Sequence, residues 1–205
     1  MALQIAGRHL LSLFAALAAA LSPLLGGAAV AKPNVVVSVL PVAAIVAGVM
    51  EGVDTPSVIV RGNASPHGFA LKPSDARALA TADLIFWIGP AYETFLQRPL
   101  AGLGGRTQVV ELARAPGVTM LPARGGGGWE ADDDRRPPAP RRGRPADIEL
   151  DGHMFLDPDN AKAIARVASI FLAAVDQEHG PHYRYNASRL AERIDALDEI
   201  GRAHV

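Results

Sequence analysis

The sequence predicts an α/β fold, a parallel sheet flanked by helices, on three observations. Short β-branched apolar runs alternate with segments of helical character, and the connections between them are short. The clearest runs, residues 34–40 (NVVVSVL) and 84–88 (LIFWI), are apolar without alternation, as strands buried on both faces are. The 205 residues are 49% hydrophobic, enough for a sizeable core, and show no fixed-period repeat of a solenoid or propeller.

Taken in order, the first segment reads as a processing signal outside the fold. Arg8 and His9 precede an apolar run over 10–21, Ser22-Pro23 follows, and Ala29-Val30-Ala31 offers a small-residue cleavage site that would leave Lys32 as the new start. A run of 12 residues (10–21) is too short for a hydrocarbon core that needs roughly 20. The first strand, 34–40, is followed by Pro41 and a helix over 42–50, then by a second strand at 57–60. That strand ends in the turn-prone stretch 61–68, RGNASPHG. Pro73-Ser74-Asp75 reads as a helix start, with Ser or Asp available as cap. The strand at 84–88 is stopped by Gly89-Pro90, after which a helix over about 91–97 and a strand over about 108–112 are expected.

From 122 to 148 the composition changes to Gly, Asp, Pro and Arg, which cannot bury apolar surface, so a flexible surface loop is expected. Order resumes at Asp151-Gly152-His153, and Asp157-Pro158 supplies an N-cap and a first-turn proline. Ala161, Ile164, Ala168, Phe171 and Val175 recur at steps of three and four on that helix. Gly180-Pro181 breaks it, and a further helix carries Leu190, Ile194 and Leu197 on one face. The tail 200–205 (IGRAHV) reads as non-native sequence, which would make His204 an artefact and the natural protein longer.

The chain has no cysteine. Disulfides and thiolate metal sites are therefore excluded, and a metal must be held by His, Asp or Glu. Nor is there a cysteine to carry a lipid at a processed N-terminus. A formal net charge of −1 gives no electrostatic reason to expect nucleic acid or an anionic membrane as partner.

Of the six histidines, two stand out. His67 and His153 each lie between a strand-like segment and a helix that opens with proline and a capping residue. In a parallel sheet both loops would leave the same edge, where ligands bind beyond the carboxyl ends of the strands. Neutral imidazole suits Zn²⁺. On spacing alone, surface or core histidines explain the pair better than a metal site does. His179 and His182 bracket the Gly180-Pro181 break and read as solvated helix-end residues.

The stretch 64–79 (ASPHGFALKPSDARAL), with Ala82-Asp83-Leu84 and Trp87-Ile88-Gly89-Pro90, resembles the zinc-uptake solute-binding proteins of ABC importers, the ZnuA type. Residues 152–158 (GHMFLDP) are similar to the second ligand loop of that family. The resemblance covers essentially 32–198. It implies an N-terminal α/β lobe (32–178) of a two-lobe metal-binding protein and the start of a long connecting helix (181–199), with the second lobe absent. It makes His67 and His153 the metal ligands and Zn²⁺ the transported ligand. It further implies a periplasmic, monomeric protein that hands zinc to an inner-membrane ABC permease and does no chemistry on it. Family members often place an acidic residue before the first histidine; Pro66 stands there. Manganese and iron relatives usually carry an acidic residue soon after that histidine. Here the sequence is His67-Gly68-Phe69-Ala70, which favours zinc and leaves the manganese or iron branch as alternative.

The imidazoles would be oriented by hydrogen bonds to their second nitrogens, and affinity would fall as pH drops through the histidine range. A zinc hydrolase is the reading of a different class. It needs an open metal position and a general base. Glu93 and Asp151 are the candidates, and neither lies in an H-E-x-x-H pattern.

Overall fold

A computed structural model describes residues 32–62, 64–123 and 150–203, all within one compact unit, Lys32–Val205. The segment read as an export signal, 1–31, most of the loop expected at 122–148, and His204 lie outside the described residues.

Strand β1 (Val35–Val39) carries valine at every position but Ser38 and is buried throughout. Its β-branched chains are stiff at χ1 and pack well on a pleated surface. β2 (Ser57–Val60), β3 (Leu84–Trp87) and β4 (Gln108–Glu111) complete a sheet in the order β2-β1-β3-β4, with every pairing parallel. One row across it reads Val58, Val37, Phe86, Val110. The chain leaves β1 for β2 on one side and returns to β3 on the other. Such a switch of direction is where parallel α/β sheets open a crevice outside their carboxyl ends.

The helices are α1 (Leu40–Met50), α2 (Pro73–Thr81), α3 (Gln97–Ala101), α4 (Pro158–Val175) and α5 (Gly180–Ala203). α1, α4 and α5 pack on one another, whereas α2 packs with α3. Right-handed crossovers place those two groups on opposite faces of the sheet. α1 follows β1 without a loop, with Pro41 in its first turn where no N–H is required. At its other end α5 supplies the missing donors. Asn186 Nδ2 donates to the carbonyls of Val49 (3.0 Å) and Glu51 (2.9 Å), and His182 Nε2 lies 2.8 Å from Glu51 O.

α4 starts as the sequence predicts. Asp157 is its N-cap, accepting from the N–H groups of Asp159 (2.7 Å) and Asn160 (3.1 Å), and Ala161, Ile164 and Ala168 are buried. Phe171 and Val175 are partly buried against the same core. On α5, Leu190 packs against that core, but Leu197 is 67% exposed.

Two local expectations are corrected. Neither Ser74 nor Asp75 is the N-cap of α2; that position is Lys72, and Asp75 Oδ2 accepts the Lys72 N–H from the third helical position at 3.0 Å. Residues 91–97 do not form one helix. The N–H groups of Tyr92 and Glu93 both donate to Gly89 O (3.1 and 3.0 Å), closing a tight turn. A 3₁₀ segment, Thr94–Leu96, then leads into α3. The turn depends on Gly89, whose φ of +151° is rarely adopted by residues with a side chain.

Candidate metal site

Three segments gather at the carboxyl edge of the sheet. The first leaves β2 and contains a 3₁₀ turn, Pro66–Gly68, with His67 at its centre. The second is the turn after β3, residues 88–96. The third runs from Leu150 to Asp157 and carries His153, immediately before a 3₁₀ turn, Met154–Leu156, and α4. The middle segment touches both others. Phe95 packs on Phe69, two residues beyond His67, with ring centroids 5.1 Å apart, and Tyr92 packs edge-on against His153 at 5.2 Å and 82°.

His153 is held by Asp151. Oδ1 of Asp151 accepts the His153 backbone N–H at 2.9 Å and sits 2.7 Å from His153 Nδ1. An aspartate on Nδ1 fixes the tautomer and the ring orientation, which is how proteins prepare an imidazole to bind a metal through Nε2. The His153 side chain is 49% exposed, so the ring is accessible from outside. Tyr92 and Phe155 flank it at T-shaped angles.

The segment around His153 is tied down by one buried amide. Asn160 Oδ1 accepts the Thr119 N–H (2.7 Å), and its Nδ2 donates to Thr119 O (2.9 Å) and Met154 O (3.0 Å). With the Asp151 N–H on Leu121 O (2.8 Å) and an antiparallel bridge between Pro122 and Leu150, this closes the base of the insertion that separates β4 from His153.

Glu93 is fully buried. Its Oε1 accepts from Ser38 Oγ and from the Ile88 N–H (3.2 Å), and its Oε2 accepts the Gly89 N–H (2.9 Å). Burial pushes its carboxyl above the usual range, and the bonds from Ser38, Gly89 and Ile88 oppose that rise. Burial likewise raises the Tyr92 phenol, with the charges of Glu93 and Asp151 adding to it. A carboxylate enclosed in this way does not stand beside a solvent-filled cleft as a general base. Asp151, the other acid considered for hydrolysis, is engaged with His153.

His179 Nδ1 contacts the buried carboxylate of Asp176 (2.8 Å), which also accepts from Tyr183 OH (2.6 Å). With His182 on the end of α1, both histidines serve helix ends. Among the described residues no group of three or more His, Cys, Asp and Glu side chains could hold a metal ion. The structure places His67 in the 3₁₀ turn that follows β2. Ser38, Tyr92 and Asn160 escaped the sequence reading. Only Ser38 carried a signal there, as the one polar residue in a run of valines.

Comparison with known proteins adds to this geometry. The family model described as zinc-uptake complex component A, periplasmic (ZnuA) matches residues 35–205. The high-affinity zinc uptake system protein ZnuA of Brucella abortus is 38% identical over 187 residues, covering 81% of this chain and 56% of that protein. The protein of the same name from Paracoccus denitrificans is 28% identical over 196 residues, covering 89% and 60%. The chain thus spans a little over half the length of these curated relatives. Among solved structures, a Mn-bound periplasmic metal binding protein from Candidatus Liberibacter asiaticus superposes with a TM-score of 0.62 at 19% identity, covering 79% of this chain and 53% of that one. The metal-dependent lipoprotein YcdH from Bacillus subtilis gives 0.66 at 16%, covering 84% and 55%. At those identities the likeness is one of fold.

Proposed function

We propose that this chain, which belongs to the ZnuA family of periplasmic zinc-uptake components, captures Zn²⁺ at the carboxyl edge of its sheet for delivery to an ABC permease in the inner membrane. The observation that carries the reading is the Asp151–His153 pair: an accessible imidazole, fixed through Nδ1, on a segment that shares its support with the turn containing His67. His67 and His153 are assigned as the two ligands, each bound as neutral imidazole. Nitrogen donors favour zinc over manganese, and the residues after His67 (Gly68, Phe69, Ala70) add no carboxylate.

The metal is cargo. Binding and release are the function, and no bond of a substrate is broken, so the protein is not an enzyme. No described helix is long and apolar enough to cross a membrane. Residues 1–31 are assigned as a cleavable export signal, which sends the product to the periplasm.

Zinc titration of the chain beside His67→Ala and His153→Ala, with manganese as competitor, tests the assignment. Zinc-selective binding lost in both variants is expected. Binding untouched by either substitution would remove these loops from the site.

A further inference from the structure

We propose that Glu93 is a positioning residue for His153: anchored by Ser38 and two backbone N–H groups, it fixes the turn that presents Tyr92 as the wall on which Gly152 and His153 are seated. The proposal rests on the reading of His153 as a zinc ligand.

A buried carboxylate is costly to keep unless its oxygens are hydrogen-bonded, and an apolar side chain of similar size would fill the space without that cost. Glu93 therefore calls for a role beyond filling volume. Its partners lie at the carboxyl ends of the two central strands. Ser38 is in β1, and Ile88 and Gly89 directly follow β3. The turn is closed a second time by the Tyr92 and Glu93 N–H groups on Gly89 O. The 89–93 backbone is thus tied to both strands that border the crevice.

Tyr92 projects from this turn and is 7% exposed. A Cβ on Gly152 would fall 2.6 Å from Tyr92 Cγ, so the Gly152 backbone lies against the ring with no room for a side chain. The His153 ring meets the same tyrosine edge-on. A displacement of the turn by a few tenths of an ångström would move that wall, against which the imidazole held by Asp151 packs. Binding depends on such geometry, because a metal–nitrogen bond has a narrow range of lengths.

The test uses the full chain with Glu93→Gln and Ser38→Ala, and Ile164→Val as a core change away from the turn. Two quantities are read: the imidazole ¹⁵N shifts of His153 without metal, and zinc affinity. Glu93→Gln keeps the shape but sets an amide NH₂ against a backbone or hydroxyl donor. It is expected to shift the His153 signals and weaken zinc by about tenfold, the low end of what loss of an outer support costs. Ser38→Ala moves both readouts in the same direction, whereas Ile164→Val lowers the melting temperature and moves neither. A folded Glu93→Gln with His153 signals and zinc affinity at wild-type values overturns the proposal. Should that variant fail to fold, Ser38→Ala decides on the same two readouts. If His153→Ala retains zinc binding, the ligand assignment fails, but the metal-free shifts still test the clamp: moved signals support it and unmoved signals sink it.

Discussion

Ser38 and Glu93 are both buried and hydrogen-bonded to each other, and that meeting has a thermodynamic signature. Burial raises the Glu93 carboxyl, so the native state holds its proton more tightly than the unfolded chain does. Its contribution to stability is therefore greatest at low pH and is lost as pH rises from the ordinary carboxyl range through the raised value. Glutamine has no such dependence. The melting temperature of Glu93→Gln, relative to wild type, should rise between about pH 4 and pH 7, whatever its offset at either end. A flat difference measured by calorimetry across that range would show that the three hydrogen bonds fully offset the burial. The sequence marked Glu93 as chemistry-bearing but not as buried, because its partners come from another strand and from a turn whose closure depends on Gly89. Asp151 was within reach of sequence reasoning, since a carboxylate two residues before a histidine can bond its ring without long-range structure.

At the scale of elements, local signals succeeded where the forces are local. Asp157-Pro158 announces α4 because the cap is satisfied within four residues. Strand β1 was legible because burial on both faces imposes a uniform run. The segment 91–97 misled because its composition permits a helix while Gly89 and Glu93 bend the chain into a turn. Asn160 was silent for a related reason: two of its three bonds are to Thr119, across the insertion, and the third is to Met154. This contrast is measurable. Asp157→Ala removes a cap on an exposed helix end and should cost about 1 kcal/mol in urea denaturation. Asn160→Ala removes three hydrogen bonds to the backbone of Thr119 and Met154 and leaves the buried Met154 carbonyl without this donor, and should cost more, about 2–3 kcal/mol. If the cap substitution proves the more damaging, Asn160 is not what holds the base of the insertion together.

For the whole molecule, the sheet order decides where the proposed site lies, and the number of assigned ligands decides how tightly it would hold metal. The reversal at β1 places the two central strand ends side by side, and every residue assigned to the site hangs from those ends or from segments packed on them. Zinc sites of high affinity are usually four-coordinate, with three or four protein ligands. Two imidazoles are assigned here, no cluster of three ligating side chains occurs among the described residues, and the chain spans a little over half the length of its curated relatives. Water would complete the coordination of a zinc ion held by His67 and His153 alone, and each water gives up part of the gain of a protein donor. Zinc binding by this chain is therefore expected to be micromolar or weaker by calorimetric titration, with one ion per chain and release of protons as imidazoles are claimed from the solvent equilibrium. Nanomolar affinity at one ion per chain would require at least one further protein ligand.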